Sequence, residues 1–482
     1  MRDLLSILPE LTVTLTSVVV LAADIVVKGR SRLRVLTVIT LTGLALAALA
    51  VPPWQPAAPF TAFNGFVIVD EFTQFFRALF LVLTFLGVLA AEEYAARRDL
   101  PYGELLSILL FSTLGSMTIA LSADLITLFV GLELMTIPVY ILAGLQRRNP
   151  FSNEAALKYF LLGAFSTAIL LYGFAWLYGV TGSTDLRGIA AGLAARGLSG
   201  PVLVALALIT VGLAFKAAVV PFHQWTPDAY DGAPTPVTAF MSVAPKAAAF
   251  AAILRLVGVA LAPLALDWTA AFAVLAALTM TLGNVVALAQ TSVKRMLAYS
   301  SIAHTGYIVA GVAAAQAGVQ AWAGVLFYAF GYGVMNIGAF AALLVLDTEG
   351  TRGATLEELR GLARRAPFAA LAFTVLLVSL TGLPPTVGFW AKVFVFRPAI
   401  DADLTWLAVV MALNAALSAF YYLRVVVHMY MLDPEGAPVP ELTKARLVGA
   451  TLGITAIASL ALGIWTDPLY SWAVTAAAPI VR

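Results

Sequence analysis

Four ionisable side chains lie in the middle of long apolar stretches of this chain. They are Glu133, Lys216, Lys246 and Lys392. Inside a membrane helix, each such charge costs about 2.5–3.5 kcal/mol on an insertion scale. Residues of this kind are rare in membrane helices, where they face partners within the protein and mark the paths of ions. The four residues therefore predict a membrane protein that moves charge.

Glu133 and Lys216 form the best matched pair among the four. Glu133 lies near the middle of the apolar run 124–145, and an ionised carboxylate at that depth requires a cationic partner. Lys216 is the nearest candidate in charge type, and a buried lysine exchanges its proton more readily than an arginine does. The sequence thus predicts a Glu133–Lys216 pair, either as part of a proton path or as a structural ion pair.

The lysines also lie beside features that admit water or leave space. Lys216 precedes Pro221, and Lys392 follows a second break rich in proline and glycine, so water is expected near both lysines. Lys246 is surrounded by small residues, whose packing does not require a long side chain. For Lys216 and Lys392 the alternative is a side chain that extends to the membrane interface, because a helix end is near each of them.

Two further candidates could take up or relay protons. His304 titrates near neutral pH and could pass protons between the two halves of the chain, or it could simply bond to a helix carbonyl. Lys158 has Glu154 four residues before it, which is the spacing of an ion pair on one helix face. That pair could serve proton uptake or only the membrane interface. Asp228 and Asp231 could line a cytoplasmic mouth or cap helix ends.

The apolar runs that carry these residues set the fold class. Hydrophobic residues make up 61% of the chain and charged residues only 11%, whereas a soluble domain has roughly 25% charged residues. Mean hydropathy is +0.95, and a helix needs about 20 apolar residues to span a bilayer. The sequence predicts an all-α polytopic membrane protein with fourteen helices. The predicted helices are 4–27, 33–51, 72–90, 104–121, 124–145, 155–180, 202–222, 237–260, 267–289, 295–314, 322–346, 367–397, 404–431 and 443–466.

Two of these helices, the seventh and the twelfth, contain breaks. In GLAFKAAVVPFHQWTPDAYDGAPTPVTAF, prolines remove backbone donors and forbid a continuous helix, and SLTGLPPTVGFWAKVF is interrupted in the same way. Paired breaks in corresponding halves are typical of inverted repeats around a site at the membrane midplane. We expect one integral membrane domain, 1–482, composed of a first inverted repeat at 104–260 (helices 4–8), a second at 267–431 (helices 9–13), and flanking helices in 1–90 and 443–482.

Composition and motifs exclude several other classes of site. The chain has no cysteine, so disulfides, thiolate-ligated iron–sulfur clusters and Cys-type zinc sites are excluded. Its three histidines are scattered and do not make a metal site. A net charge of +2, without an aromatic and basic platform, argues against nucleic acid as a partner. No nucleotide-binding motif is found, so no cofactor is expected in this chain.

Basic residues favour the cytoplasmic ends of membrane helices, and here they are concentrated in the connections after odd-numbered helices. Arg97, Arg98, Arg147 and Arg148 are examples. The loop 52–71, by contrast, carries prolines and acidic residues without basic ones. Both termini are therefore predicted on the outer side of the membrane.

Several segments carry a resemblance to known proteins. They are LFVGLELMTIPVYILAGL, EAALKYFLLGAF, GLAFKAAVVPFHQWTPDAYDGAPTPVTAFMSVAPKAA, KRMLAYSSIAHTGY and TGLPPTVGFWAK. Together they closely resemble the antiporter-like subunits of bacterial respiratory complex I and of multisubunit cation/proton antiporters. The resemblance spans nearly the whole chain, and the stretch from Lys216 to Lys246 is its most specific part.

The resemblance implies a subunit that translocates protons across the bacterial inner membrane, with its termini on the periplasmic side, while other subunits carry out NADH:quinone electron transfer. It implies a Glu133–Lys216 pair, a connecting Lys246 and a terminal Lys392. FMN, iron–sulfur clusters and quinone are then expected in partner subunits. The expected partners are the other membrane subunits of complex I, including related antiporter-like subunits, and the lipid bilayer.

The length of the chain and Lys392 indicate which class of antiporter-like subunit the chain resembles most. We expect the chain to be too short for the lateral helix of the longest complex I members, and Lys392 stands where another class has glutamate. The run RRNPFSNEAALKYFLLGAFSTAILLYG fits the remaining class of complex I member. The D-type subunit of multisubunit Na⁺/H⁺ antiporters shares the same charged residues and is the alternative.

Overall fold

The computed structural model describes residues 2–29, 31–51, 59–345, 355–433 and 445–481, and most of these residues are helical. The helices up to the first break and just beyond it are α1 (Arg2–Ser6), α2 (Leu8–Val26), α3 (Arg32–Leu49), α4 (Glu71–Arg97), α5 (Tyr102–Ala120), α6 (Leu125–Ala143), α7 (Pro150–Thr181), α8 (Leu186–Arg196), α9 (Gly200–Ala217), α10 (Trp225–Gly232), α11 (Thr235–Met241) and α12 (Ala244–Arg255). The later helices are α13 (Ala265–Leu288), α14 (Val293–Ala313), α15 (Val319–Leu344), α16 (Leu362–Arg365), α17 (Pro367–Thr381), α18 (Val387–Asp401), α19 (Thr405–Met431), α20 (Arg446–Ile464) and α21 (Asp467–Val481).

Each of the fourteen predicted helices overlaps a helix of the structure, so the all-α membrane fold is confirmed. Among the described residues, twelve helical segments are long and apolar enough to cross a membrane. α14 is long but less apolar, and α17 is apolar but short. The number of spans therefore stays a prediction.

Both predicted breaks are present. α9 ends at Ala217 and α10 begins at Trp225, and α17 and α18 are separated by residues 382–386. The residue after each first half, Ala218 or Gly382, has a positive φ, 62° and 90° respectively. A left-handed residue ends a helix, and the prolines that follow cannot restore it. Each break thus leaves backbone groups that other parts of the protein must satisfy.

Some elements were not predicted from the sequence. The connection 181–201 contains α8, and the end of the chain forms α21. Strands β1 (Phe60–Ala62) and β2 (Val67–Val69) form a short antiparallel hairpin within the predicted loop 52–71. Residues 52–58 of that loop lie outside the described residues, and so do residues 443–444 of the last predicted helix. The same is true of three basic residues used in the orientation prediction, Arg30, Arg352 and Lys444.

The centre of the protein is built on α12, in which all twelve residues are buried. The predicted helix 237–260 is in fact divided at Ser242–Val243 into α11 and α12, and it continues beyond α12 as a π-helical turn, Leu256–Ala260. α12 carries Lys246, which is therefore buried inside the protein.

Two buried ion pairs connect distant parts of the chain. Arg77 Nε lies 2.7 Å from Glu10 Oε1, and Arg255 donates two hydrogen bonds of 2.6 and 2.7 Å to Asp70. Burial raises the pKa of the Asp70 carboxyl, but the charge and hydrogen bonds of Arg255, with two more hydrogen bonds from Thr73, outweigh burial and hold the pKa below its usual value. The two pairs therefore join helices of this chain.

Candidate functional site

Glu133 on α6 and Lys216 on α9 lie close together, as predicted. Lys216 Nζ lies 3.6 Å from Glu133 Oε1. The Lys216 side chain is only 2% exposed, and that of Glu133 is 25% exposed. The alternative prediction, that the Lys216 side chain extends to the membrane interface, is therefore wrong. The break after Ala217 leaves the lysine inside the protein.

A threonine hydroxyl bridges this charge pair. Lys216 Nζ donates a 2.9 Å hydrogen bond to Thr167 Oγ1, which donates a 2.9 Å hydrogen bond to Glu133 Oε1. Thr136 Oγ1 and the Tyr140 hydroxyl accept longer contacts from Lys216 Nζ, at 3.4 and 3.5 Å. Hydrogen bonds to ionised groups are stronger than neutral ones. The pair is thus joined through a neutral group that can both accept and donate a proton.

Lys246 is held by neutral groups on α14. Its Nζ donates to Ser301 Oγ at 2.5 Å and to the Ser301 carbonyl at 3.0 Å. A weaker contact reaches Thr305 Oγ1 at 3.4 Å. The Tyr332 hydroxyl also donates to Ser301 Oγ, at 2.7 Å. Hydroxyl and carbonyl oxygens can stabilise an ammonium without neutralising it, so this lysine is solvated by protein.

His304 lies one helical turn from Ser301 and is surrounded by tyrosines. Its Nδ1 lies 2.7 Å from the Tyr328 hydroxyl, and its Nε2 lies 3.2 Å from the Tyr422 hydroxyl. Tyr422 also forms a short hydrogen bond with Ser300. Both ring nitrogens of His304 therefore contact hydroxyl groups rather than helix carbonyls. A hydroxyl can donate to one nitrogen and accept from the other, so either neutral tautomer fits.

Lys392 is positioned by the second break. Its Nζ donates a 2.6 Å hydrogen bond to the carbonyl of Thr381, the last residue of α17. That carbonyl has no helical partner because the helix ends there. Nζ also lies 5.0 Å from the centre of the Tyr307 ring, within the range of a cation–π contact. The break thus supplies the acceptor that holds the lysine.

A cluster of opposite charges, here called the mouth cluster, lies at one end of these helices. Lys158 Nζ contacts Glu154 at 2.7 Å, as its spacing predicted, and Asp228 at 2.8 Å. Arg295 contacts Asp228 at 2.9 Å and Asp231 at 3.9 Å. Burial raises the pKa of Asp228, but hydrogen bonds from Lys158 and Arg295 outweigh it and leave the pKa below its usual value. The mouth cluster is therefore a charged, half-exposed network.

The residues that sequence reasoning missed are the hydroxyls between the charges. They are Thr167, Ser301, Thr305, Tyr328 and Tyr422. Serine and threonine are common in membrane helices, where they often bond to their own backbone, so none of them stood out. Ser301 and Thr305 do share one face of α14 by their spacing of four residues, which is the signal that could have identified them.

Chemically, the arrangement suits the holding and passing of protons. Lysine, histidine and hydroxyl groups both accept and release protons. Within the part of the chain that the structure describes, no three histidine, aspartate or glutamate side chains lie together as a metal site would require.

Comparisons with known proteins show which family the sequence resembles. Residues 122–418 match the family model of the transmembrane region of NADH:quinone oxidoreductase and Mrp antiporters. NADH-quinone oxidoreductase subunit N 1 of Sorangium cellulosum is 48% identical over 418 residues, which cover 84% of this chain and 82% of that protein. Subunit N 1 of Solibacter usitatus is 42% identical over 487 residues, covering 99% of this chain and 98% of that protein.

Solved structures show the same fold. A chain of respiratory complex I from Thermus thermophilus with bound aureothin matches with a TM-score of 0.81 and 35% identity, covering 96% of this chain and 98% of that one. A chain of the Mrp complex from Dietzia matches with a TM-score of 0.83 and 26% identity, covering 98% of each chain.

Proposed function

Because this chain belongs to the family of antiporter-like membrane subunits of NADH-quinone oxidoreductase, with subunit N as its curated relatives, we propose that it translocates protons through its buried charges. The chain is a multi-pass membrane subunit of a bacterial respiratory complex I. The complex I member to which the sequence analysis assigned the chain is subunit N, and these relatives confirm that assignment. The family model covers Mrp antiporters as well, and the Mrp chain from Dietzia, at 26% identity, fits the antiporter alternative.

The observation that carries the proposal is the hydroxyl-bridged pair of Glu133 and Lys216. A buried ion pair alone would be a structural feature, but here the two charges are 3.6 Å apart with the Thr167 hydroxyl between them. The lysine also lies beside a helix break. A change in the charge near Glu133 alters its attraction for Lys216 and therefore the tendency of Lys216 to hold its proton.

The lysine line, defined as Lys216, Lys246 and Lys392, carries the proton onward in this mechanism. Lys246 is connected through Ser301 to the face of α14 that also bears His304. His304, with its tyrosine hydroxyls, is the relay between Lys246 and Lys392. Release from Lys392 against the membrane potential requires about 2.3 kcal/mol per charge per 100 mV, which electron transfer in partner subunits supplies.

The mouth cluster is the proposed site of proton uptake. Its ion pairs connect Lys158 on α7 with Arg295 on α14 through Asp228. This assignment places the cluster on the cytoplasmic side and both termini on the periplasmic side. Since the chain has no native cysteine, single cysteines at Arg97 and at Thr61 in β1 can be labelled from either side of sealed vesicles. Labelling of Arg97→Cys from the periplasmic side would show that the orientation is the opposite of the proposed one.

The proposed division into inverted repeats, 104–260 and 267–431, is supported by the two breaks. In each, a left-handed residue follows the first half-helix, and a lysine lies beside the break. Lys216 is held from the neighbouring helices, whereas Lys392 is held by the broken helix itself. The two repeats would thus present their lysines in different ways.

FMN, iron–sulfur clusters and quinone are proposed to reside in partner subunits, so the part of this chain in the enzyme reaction is proton movement. Its protein partners would be the other membrane subunits, including related antiporter-like ones. The relatives are named for the NADH-quinone oxidoreductase to which they belong, and this supports the proposal.

The test is to replace Lys216 or Lys246 by alanine and to measure NADH-driven proton translocation in assembled complexes. We expect a large loss in both variants. Lys28→Ala is the matched control, because Lys28 is an exposed lysine in the α2–α3 connection. The rate of NADH oxidation by ferricyanide counts assembled complexes. Normal pumping by assembled Lys216→Ala and Lys246→Ala complexes would refute the proposed path.

A further inference from the structure

Thr305 occupies a position between two lysines that the proton path alone does not explain. It lies on α14 and is 1% exposed. Its Oγ1 donates to the carbonyl of Ala217 at 3.0 Å. Lys246 Nζ in turn donates to Thr305 Oγ1 at 3.4 Å. Ala217 is the last residue of α9 and the neighbour of Lys216. One hydroxyl therefore contacts both Lys246 and the helix end that carries Lys216.

The end of α9 depends on such side-chain hydrogen bonds. The last carbonyls of a helix lack partners within the helix, and the left-handed φ of 62° at Ala218 turns the chain away. Thr305 Oγ1 satisfies the Ala217 carbonyl from one side. From the other side, Thr279 Oγ1 on α13 accepts a 3.0 Å hydrogen bond from the Val220 amide. Two buried threonines thus hold the break, but only Thr305 contacts a lysine.

The Thr305 hydroxyl has one hydrogen and two possible acceptors. They are the Ala217 carbonyl at 3.0 Å and the Ser301 carbonyl at 3.1 Å. A charged Lys246 donates to the Ser301 carbonyl and to Thr305 Oγ1, which directs the hydroxyl hydrogen toward Ala217. A neutral Lys246 has one donor hydrogen fewer, so the Ser301 carbonyl that it held can then accept the Thr305 hydrogen in place of the Ala217 carbonyl. The charge on Lys246 therefore sets the direction of the Thr305 hydrogen bond.

We propose that Thr305 couples the charge on Lys246 to the end of α9 beside Lys216. This coupling rests on the proposed function of the lysine line. When Lys246 is charged, Thr305 anchors the Ala217 carbonyl and holds Lys216 in its pair with Glu133. When Lys246 is neutral, the anchor is released and the helix end relaxes. The hydroxyl keeps its own proton throughout, so Thr305 is a positioning residue.

The experiment compares Thr305→Val with Thr279→Val in the full assembled complex. Valine keeps the size of threonine but removes the hydroxyl. Each variant removes one hydroxyl anchor of the same break, so a purely structural anchor predicts similar losses. The coupling predicts that Thr305→Val alone lowers NADH-driven proton translocation, by about fivefold, the change expected for the loss of one neutral hydrogen bond such as that to the Ala217 carbonyl. Thr305→Ser restores the hydroxyl and should restore pumping.

The outcomes separate the coupling from the path on which it rests. Equal losses in Thr305→Val and Thr279→Val, or normal pumping in Thr305→Val, would overturn the coupling. Lys246→Ala is measured in parallel: if it pumps normally, the proposed path fails, whereas a loss there with normal pumping in Thr305→Val removes the coupling alone. Ferricyanide-linked NADH oxidation reports assembly. If Thr305→Val does not assemble, Thr305→Ala, which also lacks the hydroxyl, is compared with Thr279→Ala in its place.

Discussion

Replacing Glu133 by glutamine tests the electrostatic centre of the proposed path. The change keeps a carbonyl oxygen for the Thr167 hydroxyl but removes the negative charge that lies 3.6 Å from Lys216 Nζ. At 3.6 Å, two opposite charges attract by about 5 kcal/mol in a medium with an effective dielectric constant of 20. The 25% exposure of Glu133 screens part of this attraction, but Lys216 is only 2% exposed. Removing one partner from a buried pair typically costs about 3–5 kcal/mol.

We expect Glu133→Gln to slow NADH-driven proton translocation by about tenfold or more, because ~1.4 kcal/mol is enough for a tenfold change in rate. Glu133→Asp keeps the charge but moves it roughly 1.5 Å away, which weakens the attraction by about a third. This variant should therefore fall between the parent and the glutamine variant.

The assay follows the quenching of a pH-sensitive dye in membrane vesicles after NADH is added. Rates are divided by the ferricyanide-linked NADH oxidation of the same vesicles, so that they refer to assembled complexes. Pumping by Glu133→Gln at the parental rate would show that the attraction between Glu133 and Lys216 has no part in proton movement.

Three further predictions concern the hydroxyl bridge, a buried ion pair and the mouth cluster. Thr167→Val removes two hydrogen bonds to charged groups, worth about 1.5–3 kcal/mol each, so it should lower pumping by roughly a hundredfold or more. Thr136→Val loses only a 3.4 Å contact and should change pumping less. Equal rates in the two variants would contradict the bridge. Asp70→Asn should lower the melting temperature of the complex, because Arg255 is left buried without its counter-charge at a cost of about 3–5 kcal/mol. The pKa of Asp70 is held below its usual 3.8, so the stability that the ionised Asp70 contributes is present above pH 3.8 and is lost only as the pH falls through the lowered pKa. A fall in melting temperature between pH 7 and pH 5 that occurs in the parent and not in Asp70→Asn would contradict this. Asp228→Asn should reduce the pumping rate without shifting the pH dependence of that rate between pH 5 and pH 8, because the lowered pKa keeps the Asp228 carboxylate ionised throughout that range. A shifted pH dependence would show that Asp228 itself titrates within this range.

Charged residues and prolines carried most of what the sequence could predict. An ionised carboxylate in an apolar helix needs a cation nearby, and this requirement made Lys216 the candidate partner of Glu133, the pair that the family resemblance also implied. Proline lacks an amide hydrogen, so the two broken helices could be identified with no knowledge of tertiary structure. Both inferences depend on large local free energies, which a fold cannot easily override.

Neutral partners could not be predicted in this way. Thr167 and Thr305 carry no charge, and a threonine in a membrane helix can satisfy itself on its own backbone, so only tertiary packing decides which ones reach a lysine. The tyrosines around His304 looked like ordinary core residues for the same reason. The helices α8 and α21 were missed because of their length: they have 11 and 15 residues, fewer than the roughly 20 apolar residues by which spanning helices were recognised.

The deeper lysines are surrounded by neutral groups, and this limits how many charges the protein can hold at once. Within the described ranges, Lys246 and Lys392 contact hydroxyl and carbonyl oxygens, and Lys216 alone of the lysine line forms an ion pair. A second proton added to the line finds no new counter-charge and is repelled by the first across a medium of low dielectric constant. We therefore expect protonation of the lysine line to be anticooperative: one extra proton is bound at a time, and the next proton binds only after the first has been released.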